Sequence, residues 1–302
     1  MERFYIKNSI YLDKLKRVCG TNAKPADNCN LIRSAQHPET ADELIGQYLQ
    51  YALPNSELYL QYQPQYNTKV NQIETFEALL RWKNPVLGTV VPASFIKVAE
   101  ETGLIVPIGE WVLRNACRFI QKIHQAGGTN CRIGVNVSMA QLKQENFVEQ
   151  VLSILQKTGL SSGFLELELT ELLPQVALEH LNDKLRLLKA WEIGIALDDF
   201  GTGYASLSCL NQLRVDTLKI DKSFIDGILQ HKENDVLVRS IIGIGRELDL
   251  EVIAEGVENA AQADRLAECG CHRIQGNFYS EPVSAIEALR MIKTGFWPRP
   301  LS

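Results

Sequence analysis

The chain has 302 residues, 45% of them apolar and 22% charged, and a formal net charge of −5. That is ordinary globular composition, long enough to bury a large core without disulfide or metal staples. With no run of Lys and Arg it lacks the basic stripe of a binder of long duplex DNA or RNA, whereas a small anionic ligand stays compatible, because bound cations can reverse the sign of a local site.

Charges interrupt every apolar run in Met1–Gly20, so this segment does not read as a signal peptide, and no later stretch approaches the roughly 20 apolar residues that cross a bilayer. The seven cysteines are odd in number and irregularly spaced, which argues against a disulfide framework and for a reducing, cytoplasmic setting. Residues 1–40 hold no clear period and read as an extension, partly helical at Ile10–Val18, ahead of one domain over 41–302. That domain opens on a helix with leading acids Asp42 and Glu43 and apolar positions Leu44, Ile45, Leu49 and Leu53.

Strands and amphipathic helices then alternate. The expected strands are Leu58–Gln63, Thr75–Trp82, Cys131–Val137, Phe164–Leu169, Gly194–Leu197, Thr217–Ile220, Glu251–Ala254 and His272–Gln275. Helices are expected at Ile108–Gln125, Phe147–Thr158, Val176–Trp191, Asn234–Leu248 and Ala260–Cys269. Eight strands with mostly helical crossovers predict an α/β fold of the TIM-like (β/α)8 barrel type. An open doubly wound sheet is the alternative, but the Gly-rich phosphate fingerprint after its first strand is missing. Only the polar segment Tyr66–Gln72 separates the first two strands, so a hairpin is expected there, with one strand antiparallel to the rest.

Strand after strand carries a polar residue on one face. Alternation puts Glu77, Leu79 and Arg81 on one side of their strand, Asn136 opposite the valines of Val135-Asn136-Val137, and Glu166 and Glu168 opposite three leucines. Asp198-Asp199, Lys219, Glu255 and Gln275 follow at or near the ends of later strands. In a barrel these groups point into the lumen or its C-terminal mouth, where active sites of this fold lie. Buried carboxylates crowded there repel one another and are costly to desolvate, a conflict that divalent cations resolve. Glu77, Asn136, Glu168, Asp198 and Asp199 form an all-oxygen set suited to hard ions such as Mg²⁺ or Mn²⁺, and the adjacent aspartates suit a pair of ions. Two such ions are the usual device for attack of water on a phosphodiester, with Lys219 orienting the water, balancing charge or acting as general base. The five histidines have no ligand spacing and read as structural.

Glu77-Ala78-Leu79-Leu80-Arg81-Trp82 resembles the signature of the bacterial EAL-domain phosphodiesterases. Supporting segments match in order from about residue 42 to 295: Tyr62-Gln63-Pro64, Asn136-Val137-Ser138, Glu168-Leu169-Thr170-Glu171, Asp198-Asp199-Phe200-Gly201-Thr202-Gly203, Leu218-Lys219-Ile220-Asp221, Ala254-Glu255-Gly256-Val257-Glu258 and Gln275-Gly276. The resemblance implies hydrolysis of cyclic di-GMP to linear pGpG with two Mg²⁺ or Mn²⁺ ions, in a homodimer. It implies that Glu77, Asn136, Glu168 and Asp198 bind one ion, and that Asp198, Asp199 and Glu255 serve the other. It further implies that Lys219 contacts the catalytic water, that Gln275 supports the site, and that Glu171 anchors the loop Asp199–Leu207. Gln63, Leu79 and Arg81 match substrate-holding positions, Arg81 at a phosphate. Asn277 and Glu281 depart from the family pattern near the mouth and bear on substrate affinity. The alternative is a receptor that binds the dinucleotide without cleaving it, a type marked by loss of a metal ligand or of the lysine; here none is lost. A metal-dependent barrel acting on a carboxylate or sugar is a third reading.

Overall fold

The computed structural model describes residues 40–170, 178–201, 210 and 215–295. The expected extension up to residue 39 and the helix start at Val176 lie outside the described residues. The chain folds as two compact units.

The larger unit runs over 60–79 and from 109 onward, and contains a closed eight-stranded barrel. Its strands are β1 (Leu58–Asn67) and β2 (Gln72–Asn84), β4 (Arg132–Val137), β5 (Leu165–Thr170), β6 (Gly194–Phe200), β7 (Thr217–Ile220), β8 (Glu251–Ala254) and β9 (Arg273–Ile274). The order is β1-β9-β8-β7-β6-β5-β4-β2, and β1 pairs with β2 to close the ring. All neighbours from β2 through β4 to β9 are parallel, and β1 alone runs antiparallel to β9, as the short link between the first two strands requires. That link turns where the Asn67 Oδ1 accepts the Lys69 N–H at 2.9 Å and Asn71 takes a left-handed φ of 58°.

Alternation decides which side chains enter the barrel. Leu165, Leu167 and Leu169 are almost fully buried outside it, whereas Glu166 and Glu168 lie inside. The helices cover the outer face with apolar residues three and four apart: α5 (Phe147–Thr158) buries Phe147, Val151, Ile154 and Leu155, and α8 (Lys232–Glu247) buries Val238, Ile241 and Ile242. Over β1 and β2, α3 (Ile105–Gln125) sends Phe119 to stack on Tyr62 and to meet Phe76 edge-on. The remaining helices of this unit are α4 (Met139–Leu142), α6 (Leu178–Ala190), α7 (Lys222–Asp226), α9 (Ala260–Glu268) and α10 (Ala285–Thr294).

The smaller unit holds α1 (Ala41–Leu49), β3 (Gly88–Val90), α2 (Pro92–Thr102) and the outer ends of β1 and β2. Thr40 and Glu43 form a reciprocal cap at the start of α1. Trp82 is wholly buried, meets Phe95 edge-on at 5.6 Å, and donates its Nε1 hydrogen to Glu57 at 2.9 Å. Asn84 donates to the same carboxylate at 2.8 Å. The strand β3 and the helix α2 have no counterpart among the elements expected from the sequence, and α3 starts at Ile105, ahead of the expected Ile108. Among the described residues no helix is long and apolar enough to cross a membrane.

Candidate active site

The barrel brings side chains from β1, β2, β4, β5, β6, β7 and the residues just past β8 and β9 to one place. At its centre is Lys219, whose side chain is fully enclosed. Four carboxylates surround its Nζ: Glu168 at 2.5 Å, Glu255 at 2.7 Å, Asp198 at 3.2 Å and Glu77 at 3.7 Å. Glu77 also accepts hydrogen bonds from Asn136 Nδ2 at 2.7 Å and from Gln275 Nε2 at 2.6 Å. Gln275 donates as well to Gln63 Oε1 at 3.0 Å, and Gln63 Nε2 donates to the Ser280 carbonyl at 3.1 Å. Ser280 is a contact that the sequence motifs did not single out.

A local irregularity places the two aspartates. Strict alternation would send Asp198 and Asp199 to opposite faces of β6. The β6–β7 register shifts between Leu197 and Phe200, and Asp199 takes a left-handed φ of 56°, a conformation uncommon outside glycine that aspartate tolerates better than most. The result is that carboxylate oxygens of Asp198, Asp199 and Glu255 lie within 4.8 Å of one another. The Asp199 N–H donates to Asp198 Oδ1 at 3.0 Å, which holds the turn.

Four acids around one ammonium leave the cluster short of positive charge. Burial, helped by Glu77, pushes the Glu168 carboxyl well above the usual range despite Lys219. Burial likewise lifts Glu255 to about 8, against the pull of Lys219. Asp199 rises to about 6 through burial and the neighbouring Asp198. For Glu77 burial acts in the same sense, but Lys219 and the Gln275 and Asn136 donors outweigh it and hold the group below the ordinary value. Burial works against the charged form of Lys219, yet Asp198, Glu168, Glu255 and Glu77 together hold it well above the usual lysine range. With four carboxylates within 3.7 Å of its Nζ, Lys219 serves in this arrangement as a donor and a counter-charge.

The residues fit a metal centre. Glu168 Oε1 is buried with no hydrogen-bond donor, and every candidate ligand offers oxygen. Glu166 shares the interior face with Glu168 but belongs elsewhere: it accepts from Thr217 Oγ1 at 2.8 Å and faces Arg132 at 3.7 Å, toward the N-terminal ends of the strands. A concavity of about 400 Å³ at that end, lined by Arg132, Lys189, Asp216 and Glu251 among others, holds none of the expected site residues, and its cations are already paired. Leu79 lies half-buried two residues past Glu77 on the same face of β2, and Arg81, in the smaller unit, donates to the Leu80 carbonyl. Glu171 and the loop beyond Gly201 lie outside the described residues.

Fold and site together define a parallel-rich barrel with a buried, acidic, metal-competent centre at the C-terminal ends of its strands. A profile described as the EAL domain matches residues 47–282, and the chain belongs to that family. The cyclic di-GMP phosphodiesterase NbdA of Pseudomonas aeruginosa is 35% identical over 279 residues, 92% of this chain and 35% of that protein. The bifunctional diguanylate cyclase/cyclic di-GMP phosphodiesterase MucR of the same organism is 38% identical over 247 residues, 81% of this chain and 36% of its own. A solved structure of the PaMucR phosphodiesterase in complex with c-di-GMP superposes with a TM-score of 0.77 at 37% identity, covering 81% of this chain and 99% of that one. The chain spans about a third of the length of the curated relatives it matches.

Proposed function

We propose that this chain is a phosphodiesterase that hydrolyses cyclic di-GMP to linear pGpG. The observation that carries the reading is the convergence of Glu77, Glu168, Asp198 and Glu255 on Lys219, with Asn136 and Gln275 braced on Glu77 and Asp199 turned toward Asp198 and Glu255. The identities to NbdA and MucR support the choice of substrate.

Glu77, Asn136, Glu168 and Asp198 would hold one divalent ion, and Asp198, Asp199 and Glu255 a second. Mg²⁺ or Mn²⁺ suits this all-oxygen set, and when bound supplies Lewis acidity to the phosphoryl oxygens and acidifies the attacking water. The remaining work belongs to the side chains. Lys219 orients the water through Nζ and offsets the charge of the acids. Gln275 keeps Glu77 in place. Gln63 and Leu79 hold substrate, and Arg81 serves a phosphate, for which its planar fork is suited. Water adds its oxygen to phosphorus, the phosphorus–O3′ bond breaks, and the leaving O3′ takes a proton, giving a 5′-phosphate and a 3′-hydroxyl. Glu171 as the anchor of the loop after Asp199, a homodimer, and a cytoplasmic setting complete the reading; the free thiols of Cys117, Cys131, Cys269 and Cys271 suit a reducing compartment.

The test is incubation of purified protein with cyclic di-GMP and Mg²⁺ or Mn²⁺, with products separated by chromatography and weighed. Conversion to pGpG supports the reading. Tight binding with the dinucleotide returned uncut would replace it with the receptor alternative.

A further inference from the structure

Gln65 lies in the barrel interior and has no role in the site as described so far. It is 3% exposed, and neither Oε1 nor Nε2 has a hydrogen-bond partner. A buried amide with both groups unmet destabilises a fold, and an apolar side chain of the same size would remove that penalty. Retention of such a group beside a reactive centre is the pattern of a residue kept for function at the expense of stability.

Its position points to one partner. Side chains alternate along β1: Tyr62 and Tyr66 pack on the rings of Phe119 and Tyr279, while Gln63 and Gln65 share the interior face. The antiparallel register pairs Asn67 with Arg273 and Tyr66 with Ile274, and the same register continued one residue past the end of β9 brings Gln65 across from Gln275. Gln275 uses Nε2 on Glu77 and Gln63, but its Oε1 is buried with no partner. An unused acceptor on Gln275 therefore stands across the strand pair from an unused donor on Gln65.

We infer that Gln65 is a positioning residue for Gln275. Its Nε2 holds Gln275 Oε1 through one ordered water, so that the Gln275 amide stays turned toward Glu77 and Gln63. The inference rests on the phosphodiesterase reading for its kinetic part only; its effect on Glu77 also shows in metal binding.

The test uses Gln65→Met, which keeps the length of the side chain and removes both polar atoms. A merely structural glutamine predicts a variant that melts at or above the wild-type temperature with Mn²⁺ affinity and turnover unchanged. A positioning role predicts a folded variant with Mn²⁺ affinity about 10-fold weaker by isothermal titration calorimetry, and kcat about 10-fold lower with KM little changed. Because Gln65 acts through Gln275, the double variant Gln65→Met, Gln275→Leu should lose no more than Gln275→Leu alone. Unchanged Mn²⁺ affinity, or losses that add in the double variant, overturns the inference. If Gln65→Met does not fold, Gln65→Leu carries the same comparison. A wild-type protein that binds Mn²⁺ but leaves cyclic di-GMP uncut overturns the phosphodiesterase reading and leaves the affinity test of Gln65 standing.

Discussion

Replacing Lys219 with methionine separates charge balance from packing at the centre of the barrel. Methionine has nearly the same length and fills the same enclosed space, but it leaves Glu168, Glu255, Asp198 and Glu77 without their shared counter-charge. Removing one partner of a buried ion pair costs about 3–5 kcal/mol. Proton uptake by Glu168 and Glu255, both already shifted upward, keeps the loss near that range and well below the full Coulomb term. For a domain of this size each kcal/mol is worth about 2–4 °C, so the variant should melt roughly 6–20 °C below wild type in EDTA. Titrating Mn²⁺ should then raise the melting temperature of Lys219→Met more than that of wild type, because the ions become the only positive charge among the acids. Turnover should fall about 10²- to 10⁴-fold even with metal saturating. Calorimetric melting with and without Mn²⁺ reads the first two effects and product formation the third. A variant that melts within about 2 °C of wild type in EDTA would show that Lys219 is not the counter-charge of this cluster.

Three further outcomes are expected. Glu77→Ala removes the group that gathers Asn136 and Gln275, and should abolish measurable turnover while the circular dichroism spectrum stays native; near wild-type activity would refute the metal assignment. Ca²⁺ in place of Mg²⁺ should preserve dinucleotide binding and suppress cleavage, since its larger, looser coordination does not meet the octahedral demand, and comparable turnover with both ions would argue against that demand. Glu57→Ala strips the acceptor from the buried Trp82 Nε1 and from Asn84, at about 2–3 kcal/mol in denaturant melts. Burial opposes ionisation of Glu57, but its Trp82, Asn84 and Asn55 donors outweigh this and hold the carboxyl below its usual value of 4.5. The folded value is the lower one, so this stabilisation is present above pH 4.5 and fades as pH falls through the folded value; the gap between wild type and variant should narrow on acidification, and a gap unchanged at pH 3 contradicts the assignment.

Much of the barrel was legible in the sequence because its signals are local. Phe147–Thr158, Thr217–Ile220 and Glu251–Ala254 match the expected elements residue for residue, since an apolar stripe of helical period or a short β-branched run needs no knowledge of distant chain. The tight link between β1 and β2 likewise foretold one antiparallel strand. Other elements needed tertiary context. The three residues of β3 carry too little pattern to stand out and form because β2 offers them an edge at Trp82–Asn84. β6 runs on to Phe200 through an irregularity that alternation alone does not foresee.

The amino-acid sequence by itself determined which side chains enter the barrel, because a period of two assigns each strand residue to a face wherever the strand lies. It thereby singled out Glu77, Asn136 and Glu168, while Asp198, Lys219 and Gln275 stood out as polar residues at or near the ends of later strands. Only the tertiary structure decided which of these meet. Closure of the sheet sets Glu168 and Lys219 in contact across 51 residues of chain, and leaves Glu166, two positions from Glu168, to Thr217 and Arg132 at the other end. It also turned Asp199 to the side of Asp198 and buried Gln65 on the same face of β1 as Gln63. Those outcomes depend on register and closure between strands far apart along the chain, which no local pattern contains.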